Sequence, residues 1–166
     1  MVVSFIPIPE LFKNKVRFIA AKLGSSALSE FEKFDEKTFT KPHHIREQQI
    51  IYKTIEQVGR RGAKEFYFRP ESGAHALPGQ VDQDLMDANP DDFGIRVYCG
   101  LLREDLVLLL NGDVKTKLDP NDCPNVGPHF RLAKRLVNAL LKAEREGFIR
   151  FTSGGIEMDD DYEFEI

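Results

Sequence analysis

Two lysines separated by one residue follow a strongly apolar stretch in the middle of the chain. The segment "LVLLLNGDVKTKLDP" covers residues 106–120 and begins with five apolar residues. Because side chains two residues apart on an extended segment project to the same face, the spacing predicts that Lys115 and Lys117 stand side by side. Like charges in such a pair repel each other, so a stability argument alone does not account for this arrangement.

Two arginines on neighbouring predicted strands extend this cationic pattern. Arg96 lies in the segment "IRVYCGLL" (residues 95–102), where alternation places Arg96 and Tyr98 on one face and the apolar residues on the other. Arg69 follows the predicted strand 65–68. Four cations from three adjacent strands could converge on one concave patch, which would bind a phosphate diester and stabilise its transition state. The alternative is that they are ordinary solvated residues of a sheet face and of strand ends, and spacing alone leaves both interpretations open.

The charge of the chain is unevenly distributed. Residues 71–94 contain six acids without a single Lys or Arg, and residues 151–166 contain six more acids and again no Lys or Arg. The remaining chain therefore carries 15 acids against 23 basic residues. A basic body with two acidic segments favours a polyanionic partner, although acids that serve only the solubility of the surface are an equally good explanation.

Length and composition bound the class of protein. A chain of 166 residues is long enough for one domain with a substantial core, and the sequence predicts a single domain over 1–150 followed by an acidic tail over 151–166. The two cysteines, Cys99 and Cys123, do not make a disulfide framework. Neither a membrane-length apolar run nor a signal peptide is evident, so we expect a cytoplasmic protein.

The periodicity of the chain predicts a mixed order of strands and helices. A first strand at 15–23 precedes two helices, the first with Ser26 as a possible N-cap and the second beginning at the proline of "TKPHHI". The segments 95–102 and 106–110 form a predicted hairpin, and Gly147 ends a strong helix. The predicted elements are strands at 15–23, 65–68, 95–102 and 106–110, helices near 26–39, 40–59 and 128–146, an inserted loop at 71–94 and a C-terminal hairpin at 147–158. This order indicates an α+β fold.

Four segments in this order resemble the RelE/ParE toxin superfamily, and its HigB-like branch in particular. They are "FRP" before a loop, "IRVYC", "LVLLLNGDVKTKLDP" and a helix containing "RLAKR". The resemblance covers roughly residues 16–147, and its specific part is 66–135. It implies a small twisted antiparallel sheet with two N-terminal helices and one C-terminal helix, to which this chain adds a C-terminal hairpin tail.

The resemblance also implies the toxin of a type II toxin–antitoxin pair that cleaves ribosome-bound mRNA without a metal. The 2′-hydroxyl of the substrate would attack the adjacent phosphorus and leave a 2′,3′-cyclic phosphate, with one lysine of the pair taking the hydroxyl proton. The residues matched to catalysis are Arg69, Arg96, Lys115 and Lys117, with Tyr98 and His129 as candidate proton donors. The residues matched to RNA binding are Thr116, Arg131, Lys134 and Arg135.

The implied partners are a cognate antitoxin of helix-turn-helix type, mRNA and the ribosome, with neither a membrane nor a small-molecule cofactor. No metal site is predicted, because the adjacent His43 and His44 have no partner acids at ligand spacing in the sequence. A toxin of the same fold that binds a protein such as DNA gyrase, without RNA cleavage, stays open. So does a nucleic-acid-binding module that has no catalytic step.

The acidic segments depart from the pattern of the family. Either 71–94 or the tail could lie over the basic face and imitate nucleic acid, which would restrain activity. A solvated tail is the simpler interpretation.

Overall fold

A mixed sheet with helices on both faces organises the chain. The computed structural model describes residues 1–9, 15–80 and 91–166. Within those ranges the strands are β1 Val3–Pro7, β2 Arg17–Leu23, β3 Arg69–Glu71, β4 Ala74–Leu77, β5 Ile95–Arg103, β6 Leu106–Val114, β7 Ile149–Thr152 and β8 Gly155–Met158. The helices of the same ranges are α1 Glu30–Asp35, α2 Pro42–Arg61 and α3 Gly127–Arg145. The predicted α+β class is confirmed.

The main sheet has the strand order β1-β2-β6-β5-β4-β3 among the described residues. All of its neighbouring pairs are antiparallel except β2 and β6, which run parallel. The expectation of a purely antiparallel sheet was therefore wrong. Parallel neighbours need a long crossover connection, and here the chain between β2 and β6 includes both N-terminal helices and the β3–β5 strands.

The predicted hairpin of β5 and β6 lies at the centre of the sheet. Its alternation is confirmed, since Ile95 and Val97 pack into the core on the side of α1 and α2, whereas Tyr98 packs into the core on the side of α3. Both faces of this hairpin are consequently buried. The side of β5 that carries Arg96 and Tyr98 is thus an interior surface and not the open polar face that the sequence predicts.

The two N-terminal helices begin where local chemistry allows. The hydroxyl of Ser29 accepts a hydrogen bond from the N–H of Glu32, and the Glu32 carboxylate accepts one from the N–H of Ser29. These two reciprocal hydrogen bonds form a capping box. Ser29 is thus the N-cap of α1, and the expectation of Ser26 was wrong. Pro42 occupies the first turn of α2, as predicted. Among the described residues, no helix combines the length and apolarity needed to cross a membrane.

The region between α2 and β5 differs from its prediction. Residues 65–67 form a short 3-10 helix in place of a strand, so Arg69 begins β3 and does not follow a strand. The predicted loop at 71–94 contains strand β4, which pairs with both β3 and β5. Residues 81–90 of that predicted loop lie outside the described residues.

The two ends of the chain meet at β1, the strand at the sheet edge opposite β3. The predicted C-terminal hairpin is confirmed by the pairing of β7 with β8. Beyond it, Phe164 is 2% exposed and packs edge-on against Phe5. The N–H of Val3 donates to the carbonyl of Phe164. The last residues of the acidic tail are therefore packed against β1, at the opposite edge of the sheet from Arg69.

Candidate functional site

Three of the predicted catalytic residues converge on one carboxylate, that of Glu71. Lys115 Nζ donates to Glu71 Oε1 at 2.9 Å, and Arg96 Nε lies 3.6 Å from the same oxygen. The hydroxyl of Tyr98 donates to the other oxygen, Oε2, at 3.0 Å. We name Glu71, Arg96, Tyr98 and Lys115 the Glu71 cluster. One anionic group is thus held by two cations and a phenol.

Three strands and one tight turn position this cluster. Arg96 and Tyr98 are two residues apart on β5 and so share a face, while Glu71 is the last residue of β3. Ser72 and Gly73 follow with φ of 46° and 88°, and they form the turn into β4. Positive φ at a serine costs free energy, so the turn geometry is imposed by its surroundings.

The Glu71 cluster is closed to solvent. The exposed fractions are 8% for Glu71, 4% for Arg96 and 7% for Lys115, and Tyr98 is fully buried. Burial, together with the charge and the hydrogen bond of Glu71, raises the pKa of Tyr98 far above its ordinary value. Its phenol therefore keeps its proton at neutral pH and acts as a donor.

Arg69 lies at the margin of this cluster and is partly buried. Its Nε donates to the carbonyl of Pro78 at 3.4 Å. Desolvation by burial lowers the pKa of Arg69, and the nearby charge of Arg96 lowers it further. The two arginines therefore lie close enough for the charge of one to act on the other.

The predicted pairing of Lys115 with Lys117 was wrong. β6 ends at Val114, and the backbone of Lys115 still bonds to Phe93 and Gly94. After Lys115 the backbone turns away, because the N–H of Thr116 donates to Cys123 Sγ at 3.3 Å. Lys115 is consequently buried, whereas Thr116 and Lys117 are exposed.

His129 is held in a different polar group, at the start of α3. Its Nε2 lies 3.4 Å from Lys37 Nζ, which donates to Asn111 Oδ1 at 3.0 Å and pairs with Asp113 at 3.2 Å. Burial, followed by the charge of Lys37, lowers the pKa of His129. None of the described contacts joins His129 to Glu71, so the structure does not bring this candidate proton donor into the Glu71 cluster.

The predicted RNA-binding residues of α3 fall into two groups. Arg131 and Arg135 are exposed. Lys134 is partly buried and lies over the ring of Phe130, 5.3 Å from its centroid. A Cβ atom added at Gly73 would lie 3.6 Å from Lys134 Cε, so Lys134 packs beside the turn that follows Glu71.

Sequence reasoning missed two groups near these residues. Glu71 was counted only as part of an acidic loop, although its place directly after the arginine and proline of "FRPE" was a usable signal. Cys123 was considered only as one of two cysteines that do not make a disulfide framework. Burial alone would raise the pKa of Cys123. Hydrogen bonds from Thr116 and from backbone N–H groups outweigh this effect and lower the pKa of Cys123 to about 7. Because Cys123 and Thr116 are seven residues apart, only the fold shows this contact.

Sequence reasoning also missed a cluster at the start of α2. The ligand atoms of His43, His44, Glu47 and Asp92 all lie within 4.8 Å of one another. The statement that the two histidines lack acids at ligand distance was wrong. Glu47 is four residues after His43 on the same helix, which was a readable signal. Asp92 is 48 residues away from His44 and is brought there by the fold. We name these four residues the histidine–carboxylate cluster.

Comparisons of the chain with protein-family models, with curated proteins and with solved structures returned no match. The likeness to RelE/ParE toxins therefore stays a prediction from the sequence segments quoted above.

Proposed function

We propose that this protein is the toxin of a type II toxin–antitoxin pair, a RelE/ParE-like endoribonuclease that cleaves mRNA without a metal. The observation that carries the proposal is the convergence of Arg96, Tyr98 and Lys115 on one anionic position. A phosphodiester is an anion of suitable chemistry for such a position. Cations and a phenol directed at it supply the stabilisation that a phosphorane transition state requires.

The contacts suggest a role for each side chain. Once it has moved off Lys115 and Arg96, which hold it in the closed cluster, Glu71 is the base that takes one proton from the 2′-hydroxyl. The 2′-oxygen then bonds to phosphorus while the bond from phosphorus to the 5′-oxygen breaks. Arg96 and Lys115 bind the phosphate oxygens, and the protonated Tyr98 donates its proton to the leaving oxygen.

Substrate access requires a local opening, because the four side chains of the Glu71 cluster are buried. The turn at Ser72 and Gly73 follows Glu71 directly and lies against Lys134 of α3. Movement of this turn would release Glu71 from the cations and admit the phosphate. The exposed Lys117 and Arg131 then contact the flanking RNA backbone.

The proposed partners follow from this function. The ribosome presents the mRNA in the cytoplasm, and an antitoxin of helix-turn-helix type covers the basic residues and prevents cleavage. Purified chain tested on naked RNA and on translating ribosomes measures the dependence on the ribosome directly.

The decisive experiment compares Tyr98→Phe with the wild type in a bacterial host, with transcript 5′ ends mapped within minutes of induction. The substitution keeps the ring packed on Phe130 and removes only the hydroxyl. We expect the wild type to cut within reading frames and Tyr98→Phe to lose about 100-fold or more of the cutting rate. Tyr162→Phe, a partly buried tyrosine outside the Glu71 cluster, is the matched control and should cut normally.

Other outcomes would overturn this proposal. Equal cutting by Tyr98→Phe and the wild type would remove Tyr98 from the mechanism. Growth arrest without new 5′ ends would instead indicate a protein target such as DNA gyrase. Neither arrest nor cutting by a folded wild-type chain would reject the toxin assignment.

A further inference from the structure

We propose that His43, His44, Glu47 and Asp92 form a binding site for a divalent transition-metal ion, with zinc as the best fit. The first three lie in the first turns of α2, and Asp92 lies shortly before β5. This proposal is independent of the proposed RNA cleavage, because it uses no residue of the Glu71 cluster. It assigns two imidazoles and two carboxylates to one ion.

The distances between the ligand atoms suit a tetrahedral ion. Asp92 Oδ2 lies 3.0 Å from His44 Nε2 and 3.5 Å from His43 Nε2. Bonds from zinc to nitrogen or oxygen are about 2.0–2.2 Å long, so two ligand atoms of a tetrahedron are about 3.3–3.6 Å apart. These two separations differ from this by only a few tenths of an ångström, and all four ligand atoms lie within 4.8 Å of one another. Small side-chain rotations would therefore complete the site.

Backbone N–H groups hold both carboxylates in place. Asp92 Oδ1 accepts the N–H of Gly94 at 2.8 Å, which leaves Oδ2 directed at the histidines. Glu47 Oε2 accepts the N–H of Ile95 at 2.7 Å. Metal-binding carboxylates characteristically have such outer hydrogen bonds, which fix the orientation of the ligand before the ion arrives.

Gly94 is required for this arrangement. Its φ is 83°, and an added Cβ would lie 2.0 Å from Glu47 Oε2. A side chain at this position would therefore expel the Glu47 carboxylate. The glycine at position 94 thus permits the close approach of the backbone to the Glu47 carboxylate, one of the proposed ligands.

Charge and burial favour a cation here. The exposed side-chain fractions are 6% for His44 and 3% for Asp92, and Glu47 is buried as well. Glu47 and Asp92 place two carboxylates beside the two imidazoles, and Lys41 Nζ lies 3.7 Å from Asp92 at the margin of the cluster. Imidazole ligands select zinc and its neighbours over magnesium or calcium. Four protein ligands are typical of a structural site, which here would fasten α2 to the chain entering β5. The His43 side chain is 21% exposed and is the most accessible of the four.

The test is zinc binding by the full-length, untagged chain after chelator treatment, measured by titration calorimetry. We expect one zinc per chain, and we expect His44→Gln to weaken binding by about 100-fold or more. His75→Gln is the matched control, because His75 is a partly buried histidine on β4 away from the cluster, and it should bind zinc normally. At zinc concentrations near 100 times the Kd, the Tm of the wild type should rise by about 5–10 °C.

Cobalt(II) identifies the ligands even if His44→Gln does not fold. Wild-type chain should show visible absorption bands of tetrahedral cobalt with nitrogen and oxygen ligands, and Glu47→Gln should weaken them. A thiolate-to-cobalt band in the near ultraviolet would assign the metal to Cys123 instead and overturn the proposal. So would a wild-type chain that binds no zinc, or unchanged zinc affinity in folded His44→Gln.

Discussion

The Glu71 cluster and the histidine–carboxylate cluster are both built around buried carboxylates, but the partners of these carboxylates differ. At Glu71 a single carboxylate contacts two cations and a phenol, so positive charge is in excess. At α2 two carboxylates contact two imidazoles. The first arrangement already contains an anion and would accept another one in its place. The second arrangement gathers nitrogen and oxygen atoms that can serve as ligands of a cation.

This difference shows how the same residue type is stabilised in two ways. Glu71 is balanced by charge, since Lys115 and Arg96 lie within 3.6 Å of its oxygen. Glu47 is balanced by a backbone hydrogen bond, and burial raises its pKa. Asp92 is different again. Burial alone would raise the pKa of Asp92, but hydrogen bonds from Gly94 and His44 lower this pKa and keep the carboxylate ionised. We therefore expect the Glu71 cluster to bind an anion and the histidine–carboxylate cluster to bind a cation.

The largest expected effect is that of Glu71→Gln. The amide keeps the shape of the side chain but leaves Arg96 and Lys115 without their anion in a buried position. We expect the free energy of unfolding to fall by about 3–5 kcal/mol, as for other buried ion pairs that lose one partner. Urea unfolding at neutral pH measures it. A loss below about 1 kcal/mol would show that the cluster is solvated and not closed.

Gly94→Ala should rank next, and its main effect should fall on the histidine–carboxylate cluster, although the carbonyl of Gly94 also accepts a hydrogen bond from the N–H of Lys115. The added methyl group would displace Glu47 and would also be strained by the positive φ at this position. Strain and overpacking together should lower the free energy of unfolding by about 2–4 kcal/mol. Zinc binding should be lost as well. Gly154→Ala has ordinary space around it and serves as the control, with unchanged zinc affinity expected.

Glu47→Gln sharpens the comparison, because the same substitution is made in the second cluster. Burial favours the neutral form of Glu47, which an amide resembles, and the amide oxygen can still accept the N–H of Ile95. In the presence of a chelator we expect a change below about 1 kcal/mol in the free energy of unfolding. A cost equal to that of Glu71→Gln would show that both carboxylates are charged and ion-paired, and the contrast between the clusters would fail.

The smallest effect is a pH dependence at His129, a histidine beside a cation. Burial and Lys37 lower the pKa of His129 below its ordinary value of 6.5, so the unfolded chain binds its proton more readily. The stability from this residue is present above pH 6.5 and is lost as pH falls below it. Unfolding of His129→Gln between pH 7.5 and about 5 should show a shallower loss than the wild type. An unchanged slope would place His129 in solvent.

Much of the fold was readable from local patterns. Alternating residues predicted the central hairpin, and the proline of α2 and the apolar period of α3 predicted those helices. The errors arose where a pattern had two solutions. The aromatic segment at 65–68 is equally compatible with a strand and with a short 3-10 helix, and strand order in a sheet is decided by contacts between distant segments.

The sequence by itself determined which residue types are available, and it located Arg96 and Tyr98 on the right strand and Lys115 just after the end of another. Only the tertiary structure decided that Glu71 lies among them and that Lys117 does not. It also brought Asp92 to two histidines 48 and 49 positions earlier in the chain. The physical reason is that backbone periodicity fixes the direction of a side chain relative to its own element. The packing of one element on another fixes which charged groups come into contact, and burial away from water makes those contacts energetically large.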